Sequence, residues 1–292
     1  MAFYTPLRYP GGKGKLSYYL KEVIKYNSLL DCHYIEPFAG GAGVALELLI
    51  QEYVRKITIN DYDPAIYSFW HSILNNCDEF CDMVEKTEIT MDTWYKQREI
   101  LRSNNFSDRL SLGFAAFFMN RTNRSGILNA GVIGGKEQAG KWKLDVRFNK
   151  PDLIKRIKKI AGYKDRISIK NEDTLDLLIN LSLKTHENTF MYLDPPYYVK
   201  GQELYRNFYE HQDHVDIKKQ LIKMPSLHWI ATYDNTSEIK EIYQSQTLID
   251  FDLQYSAQSK RVGSEVIIFS ENLMVPSLRI GKMTNTDTTN AA

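Results

Sequence analysis

Short apolar runs alternate with amphipathic segments in two blocks of the chain, and this alternation constrains the fold more than any other feature. Five of these runs predict strands, at residues 34–36, 57–59, 167–169, 190–193 and 229–233. The neighbouring segments predict helices at residues 16–30, 44–53, 64–74, 174–180 and 211–223. Alternating strands and helices predict an α/β fold, with a mostly parallel sheet covered on both faces. Two later runs, at 248–253 and 262–269, predict a C-terminal antiparallel hairpin.

The middle of the chain has a different pattern. Helical patterns near residues 93–101 and 109–119 are followed by a loop rich in glycine and asparagine, and then by a basic stretch. Apolar residues at helical spacing within that stretch predict an amphipathic helix whose outer face carries Lys155, Arg156, Lys158 and Lys159. We therefore predict a catalytic domain in two parts (1–74 and 163–280), an inserted mainly helical recognition domain (75–162) and a disordered tail (281–292).

Composition excludes several classes of protein. The formal net charge of +1 gives no general attraction to nucleic acid, although residues 141–170 hold eleven basic residues and three acids. No apolar run approaches the roughly 20 residues that span a bilayer, and the first residues lack the apolar core of a signal peptide. Three cysteines without a second ligand pair predict neither a disulfide framework nor a metal site. We expect a cytoplasmic protein.

A glycine-rich turn lies between the first predicted strand and its helix. The residues expected to border a ligand there are Glu36, Phe38, Ala39, Gly40 and Gly41. Glycines permit a tight turn and close approach of the backbone to a ligand, and Asp61, at the end of the next strand, could accept hydrogen bonds from a ribose diol. This pattern leaves NAD open. Because Glu36 would repel a pyrophosphate, however, the turn favours the cationic S-adenosylmethionine.

The strand at residues 190–193 runs directly into Asp194-Pro195-Pro196-Tyr197. The two prolines end the strand ladder and stiffen the loop. The Asp194 carboxylate and the Pro195 carbonyl could accept the two N–H bonds of an aromatic amine, whose lone pair is otherwise delocalised into its ring. Tyr197 could stack on a base that has left the duplex. This segment therefore favours methylation of a planar amine.

Together these segments resemble the Dam-type DNA adenine methyltransferases over roughly residues 6–269. Residues 6–13 are similar to the family's N-terminal cofactor motif, 36–43 to its glycine turn and 194–197 to its catalytic tetrad. The order of these segments, with the recognition module between glycine turn and tetrad, is that of the alpha group. The resemblance implies a Rossmann-like class I methyltransferase sheet. Residues 117–126 resemble an element that holds DNA, but 124–126 depart from the Asn-Gly ending of many relatives, so the recognition sequence stays open.

The resemblance also assigns roles to individual residues. The catalytic residues would be Asp194, Pro195, Pro196 and Tyr197. Besides the glycine turn, the cofactor would contact Tyr9, Lys13, Asp61, Asp173 and Asp194. DNA would contact Arg121, Asn123, Arg124, Lys260 and Arg261.

These assignments imply S-adenosylmethionine-dependent methylation of adenine N6, on a base flipped out of a specific sequence in double-stranded DNA. The expected protein is a monomer in a bacterial or phage-infected cell, with no membrane or metal partner, acting in some cases beside a cognate restriction endonuclease. One alternative is a methyltransferase of the same fold acting on an RNA base, a DNA cytosine or a protein glutamine. Another is a DNA-binding protein on a methyltransferase scaffold without activity.

Overall fold

The computed structural model describes residues 4–8, 16–103, 105–183, 186, 188–198, 209–255 and 261–277. Seven strands form one sheet in the order β3-β2-β1-β4-β5-β7-β6. Their bounds are β1 Cys32–Glu36, β2 Val54–Asn60, β3 Ile167–Lys170, β4 Thr189–Leu193, β5 His228–Asp234, β6 Thr247–Tyr255 and β7 Arg261–Phe269. The first five strands are parallel, and β7 is antiparallel to both β5 and β6. The predicted Rossmann-like sheet with its C-terminal hairpin is confirmed.

Helices cover both faces of this sheet. Before β4 the structure has α1 Leu16–Tyr26, α2 Gly43–Ile50, α3 Pro64–Asn75, α4 Cys77–Lys86, α5 Met91–Ser103, α6 Arg109–Thr122, α7 Lys150–Ala161 and α8 Thr174–Ser182. After β4 it has α9 His211–Leu221 and α10 Ser237–Ile242. Side chains of β4 alternate between two hydrophobic clusters on opposite faces of the sheet. Phe190 and Tyr192 pack with the helices before β3. Met191 and Leu193 pack on the other face, against α8, α9 and α10.

Two helices end three or more residues before their patterns predict, each for a local reason. The helix predicted to continue to residue 30 ends at Tyr26, because Ser28 has a left-handed backbone with φ of 56°. The Asn27 side chain also donates to the Val23 carbonyl, which accepts the Asn27 backbone amide as well, at the end of the helix. The helix predicted to reach residue 53 ends at Ile50, and Glu52, with φ of 56°, turns the chain into β2.

The predicted recognition module packs tightly on α3. Gly113 of α6 lies so close to α3 that a Cβ there would sit 2.5 Å from the Ser68 carbonyl oxygen. Phe117 of α6 stacks on Phe69 of α3 with ring centroids 5.9 Å apart and an interplanar angle of 9°. The boundary predicted at residue 75 falls between α3 and α4, within a continuous hydrophobic core. That the module forms a separate domain stays a prediction. The predicted disordered tail of the chain, at 281–292, lies outside the described residues.

Among the residues that the structure describes, no helix has the length and apolar character required to cross a membrane. Within those same ranges, no three His, Cys, Asp or Glu side chains are grouped closely enough to hold a metal ion.

Candidate active site

Three predicted site segments emerge at one edge of the sheet because β1, β2 and β4 are parallel neighbours. The glycine turn follows β1, Asp61 follows β2 and Asp194 follows β4. The carboxyl ends of parallel strands are where open α/β sheets bind ligands. The fold thus brings together residues that are up to 158 positions apart in the chain, from Glu36 to Asp194.

The glycine turn is fastened to the end of β2 from several sides. The Ala39 amide donates to the Asn60 carbonyl at 2.9 Å, and the indole of Trp70 donates to the Gly40 carbonyl at 2.9 Å. Gly40 and Ala42 both have left-handed backbones, with φ of 45° and 46°. Such a turn lets a ligand approach the backbone without long side chains in the way.

Asp61 lies under this turn and is half-buried. One carboxylate oxygen accepts the Gly40 amide at 2.8 Å, and the other accepts the Asp63 amide at 2.9 Å. Burial, followed by the charge of Asp63, raises the pKa of Asp61 to about 7. A carboxylate oxygen has two lone pairs, so both oxygens retain acceptor capacity for the ribose hydroxyls that the sequence predicts as donors.

Glu36 is buried at the end of β1, with 5% of its surface exposed. Its carboxylate accepts the Tyr34 hydroxyl and the Ala45 amide in the first turn of α2, both at 3.1 Å. Burial raises the pKa of Glu36 to about 8, and the nearby charge of Asp194 adds to the rise. A buried glutamate with a second acid nearby fits a cationic ligand, and the sulfonium and ammonium of S-adenosylmethionine meet that requirement.

A further part of the predicted cofactor site is lined by aromatic and acidic groups. Phe38 contacts Tyr209 edge to face, with ring centroids 5.6 Å apart. Asp173 caps α8 by accepting the Leu175 amide at 2.8 Å. Burial raises the pKa of Tyr209, and the nearby charges of Asp173 and Asp61 add to the rise. Tyr9 and Lys13, predicted to line the same site, lie outside the described residues.

Sequence reasoning did not assign a role to Asn60, which is fully buried beside this site. Its side-chain amide donates to the Pro37 and Glu172 carbonyls, both at 3.0 Å, and its oxygen accepts the Glu172 amide at 2.9 Å. Asn60 therefore ties the glycine turn to the segment that carries Asp173. Its position beside Asp61 was visible in the sequence, but its partners were not, because they depend on the pairing of β2 with β3.

The loop after β4 is hydrogen-bonded to β5 and β7, the next two strands in the sheet. The Thr232 hydroxyl of β5 donates to Asp194 at 3.0 Å and lies 2.8 Å from the Tyr192 hydroxyl. The Tyr197 hydroxyl donates to Glu265 of β7 at 3.0 Å. Pro195 and Pro196 are buried. Thr232 and Glu265 were not predicted as site residues because the adjacency of β4, β5 and β7 is not readable from the chain order.

The predicted DNA-contacting residues differ in their surroundings. Arg124 is exposed, whereas the guanidinium of Arg121 donates to the Arg147 carbonyl and to the Pro6 carbonyl. Asn123 is fully buried, where it accepts the Trp94 indole at 2.8 Å and donates to the Leu128 carbonyl. In this conformation the Asn123 side chain stabilises the loop through buried hydrogen bonds. Lys260 lies outside the described residues, and only the backbone of Arg261 is described.

Asn120, which carried no predicted role, joins the N-terminal segment to this loop. Its amide group pairs with both backbone groups of Arg8 at 2.7 Å and also donates to the Gly126 carbonyl at 2.7 Å. Gly126 has φ of 78°, and a Cβ there would lie 2.3 Å from the Arg8 carbonyl oxygen. The predicted cofactor motif at residues 6–13 is thereby attached to the element predicted to hold DNA.

The two raised pKa values predict that cofactor binding strengthens with pH. An acid whose pKa is raised in the folded protein destabilises that protein as pH rises from its ordinary pKa to the raised one. A bound cation lowers the pKa of Glu36 again, so binding releases a proton below about pH 8. We expect the increase in Tm on adding S-adenosylmethionine to be several degrees larger at pH 8 than at pH 6, measured by differential scanning fluorimetry.

The variant Glu36→Gln keeps an acceptor for the Ala45 amide but removes the charge. Its cofactor-dependent increase in Tm should lose much of this pH dependence, and without cofactor it should be more stable than the parent at pH 8. Glu22→Gln, at an exposed glutamate of α1, is the matched control. A pH dependence that is identical in Glu36→Gln and in the parent would contradict the proposed coupling.

Comparison with known proteins gives one family and several structures of similar fold. Residues 9–257 match the family model described as D12 class N6 adenine-specific DNA methyltransferase. A search of curated proteins found no match. Among solved structures, a methyltransferase dependent on S-adenosylmethionine from Agrobacterium tumefaciens aligns at 10% identity and a TM-score of 0.42, covering 88% of this chain and 62% of that one. The rRNA methyltransferase aviRa from Streptomyces viridochromogenes aligns at 14% identity and a TM-score of 0.37, covering 87% and 84%.

Proposed function

The chain belongs to the family of D12 class N6 adenine-specific DNA methyltransferases, and from this premise we propose that it methylates the N6 amine of an adenine flipped out of a specific sequence in double-stranded DNA. Membership of the family establishes the methyltransferase class and S-adenosylmethionine as the methyl donor. The substrate, the base position and the roles of individual residues belong to the proposal.

The observation that carries the proposal is the position of Asp194. Its carboxylate is held by the Thr232 hydroxyl at the edge of the sheet where the glycine turn and Asp61 also lie. Its charge is close enough to raise the pKa of the buried Glu36. An acceptor for an amine therefore lies next to a site whose acids favour a cation, which is the arrangement that amine methylation requires.

Residues of the loop after β4 would have different roles toward the target amine. Asp194 and the Pro195 carbonyl would each accept one N–H of the adenine amine, which localises the nitrogen lone pair and aims it at the methyl group. When bound, S-adenosylmethionine supplies an electrophilic methyl carbon on a sulfonium leaving group. Asp194 would also accept the proton that the amine releases once it carries the methyl group. Tyr197, fixed by Glu265, would stack on the flipped base.

Labelled methyl transfer to separate pools of unmethylated duplex DNA, RNA and protein tests the substrate class. The proposal expects label in duplex DNA. Label confined to RNA or protein would support the alternative enzyme of the same fold. Measurable cofactor binding with no transfer to any pool would support the inactive DNA-binding protein.

The basic face of α7 provides a prediction about DNA affinity. Lys155 and Lys158 are exposed, whereas Arg156 is paired with Asp152 and donates to the Thr5 carbonyl. Replacing Lys155 and Lys158 with glutamine should reduce the slope of log affinity against log salt by up to about 2, since each phosphate contact contributes about 0.9. Fluorescence anisotropy of a labelled duplex measures the slope. An unchanged slope would mean that this face of α7 stays in solvent.

The remaining assignments are also proposals. We propose a monomer that works in the cytoplasm of a bacterium or of a phage-infected host cell. A cognate restriction endonuclease that cuts the same sequence when it is unmethylated is a further proposed partner.

A further inference from the structure

One tryptophan is exposed while the others are buried. Trp70, Trp94 and Trp229 are 1%, 2% and 3% exposed, but Trp142 is 61% exposed. It lies in the segment 134–148, here named the basic loop, between α7 and the element at residues 117–126 that is predicted to hold DNA, here named the Asn-Arg element. Tryptophan is enriched at interfaces because its large apolar ring also carries a polar N–H, so an exposed tryptophan on an ordered loop is a candidate contact residue.

The basic loop holds Trp142 in place from beneath. Leu144 and Phe148 are buried, and the Phe148 ring lies 5.4 Å from that of Phe117 in α6. The Gln138 side chain accepts the Leu144 amide at 2.9 Å and donates to the Ile133 carbonyl at 2.8 Å. Trp142 is therefore exposed on a loop whose neighbouring residues are packed and hydrogen-bonded.

The backbone at Gly134 also approaches the backbone of Trp142 closely. Gly134 has φ of 86°, and a Cβ there would lie 2.7 Å from the Trp142 carbonyl oxygen. The Gly140 amide donates to the Gly134 carbonyl at 3.0 Å, which closes the loop on itself. Residue 134 must be glycine for the backbone at residues 134 and 142 to approach this closely.

The surroundings of Trp142 are positively charged. Lys136, Lys141, Lys143 and Arg147 are exposed in the basic loop, against the two acids Glu137 and Asp145. The ammonium of Lys141 lies 5.5 Å from the centre of the Trp142 ring. A cationic surface around an aromatic ring is the combination that binds both the phosphates and the bases of nucleic acid.

The packing of α6 directs the basic loop toward the active-site edge. Ser72 of α3 contacts Arg109 at the start of α6, and Ser68 lies beside Gly113 one turn later, so the two helices are antiparallel. The first turn of α3 follows Asp61 at the carboxyl edge of the sheet, and the end of α6 therefore lies at that same edge. The chain that leaves α6 there leads into the basic loop.

We propose that Trp142 stacks on a base of the bound duplex while the surrounding lysines contact phosphates. The inference rests on the proposed function, because it takes double-stranded DNA as the ligand. It adds a base-contacting residue outside both the catalytic loop and the Asn-Arg element. The single exposed tryptophan is also a natural reporter, because stacking on a base quenches indole fluorescence.

The test titrates the full chain with an unmethylated adenine-containing duplex and follows tryptophan fluorescence, while anisotropy of a labelled duplex measures binding independently. Binding should quench most of the emission that a neutral quencher such as acrylamide reaches in the free protein. Trp142→Phe should lose this quenching but keep most of the affinity. Trp142→Ala should weaken duplex binding by roughly 5- to 150-fold, the range given by base–aromatic stacking.

Two comparisons separate stacking from charge and from general loss of structure. Trp142→Ala should leave the salt slope of binding unchanged, whereas the pair Lys141→Gln and Lys143→Gln should lower it by up to about 2. Tyr26→Ala is the matched control, because Tyr26 is 56% exposed at the end of α1, where the chain approaches the opposite edge of the sheet. It should change neither affinity nor quenching.

Each remaining outcome counts against the inference. Normal duplex binding without quenching, or quenching that persists in Trp142→Phe, would overturn the role of Trp142 and leave adenine methylation standing. Binding and quenching with an RNA hairpin but not with duplex DNA would overturn the choice of ligand. A chain that binds S-adenosylmethionine but no duplex would overturn both this inference and the proposed function.

Discussion

Asp194→Ala should reduce methyl transfer at least about 10²–10³-fold, the loss typical when a fixed polar group at a reacting centre is removed. The variant loses the acceptor that aims the amine, and it leaves the Thr232 hydroxyl of β5 without its carboxylate partner. Cofactor affinity should fall much less than transfer, because Asp61, the glycine turn and the buried carboxylate of Glu36 stay in place. Single-turnover transfer of labelled methyl to duplex DNA measures the first effect, and equilibrium binding of S-adenosylmethionine measures the second.

Two further variants make this result specific. Asp194→Asn keeps an oxygen acceptor of the same shape and should retain more transfer than Asp194→Ala. Asp250→Ala removes an exposed carboxylate that pairs with Lys240, and it should leave transfer unchanged. Turnover of Asp194→Ala near that of the parent would sink the assigned role of Asp194.

Asp61→Ala should weaken binding of S-adenosylmethionine by roughly 10- to 100-fold, because a hydrogen bond to a charged group contributes about 1.5–3 kcal/mol. The carboxylate also accepts the Gly40 amide, so part of the loss could come from a disturbed glycine turn. The direct contribution can be isolated with a cofactor analogue that lacks both ribose hydroxyls.

If Asp61 holds the ribose, removing its carboxylate and removing the ligand hydroxyls should not have additive effects. The analogue should bind the parent weakly but should bind Asp61→Ala about as well as the natural cofactor does. Asp63→Ala, which removes the cap of α3 two residues away, is the control for local stability. Isothermal titration provides the dissociation constants, and fully additive losses would contradict the ribose role.

The sheet was predictable because its strands are short apolar runs between helical patterns. The runs at residues 57–59 and 190–193 predicted β2 and β4 to within a few residues. The basic helix was predictable as well, since Leu153, Ile157 and Ile160 lie on one buried side of α7. Helix ends were less accurate, because Ser28 and Glu52 adopt left-handed conformations that no propensity marks.

The site was predictable where a local motif carries the chemistry and unpredictable where distant strands meet. The sequence alone pointed to Asp61 and Asp194, since each ends a predicted strand. Thr232 and Glu265 become site residues only because β5 lies next to β4 in the sheet and β7 lies next to β5. Asn123 looks like a surface polar residue in the sequence. In the structure its side chain is buried and hydrogen-bonded to the Trp94 indole and to two loop carbonyls.

The most direct test of the central claim is the identity of the methylated base. Unmethylated duplex DNA would be incubated with the protein and S-adenosylmethionine carrying a labelled methyl group, digested to nucleosides and resolved by chromatography. We predict that the label elutes as N6-methyldeoxyadenosine, and that it is absent when Asp194→Ala replaces the parent. Label in a methylated cytosine, or no label in DNA despite measured cofactor binding, would contradict the assignment of adenine N6 as the target.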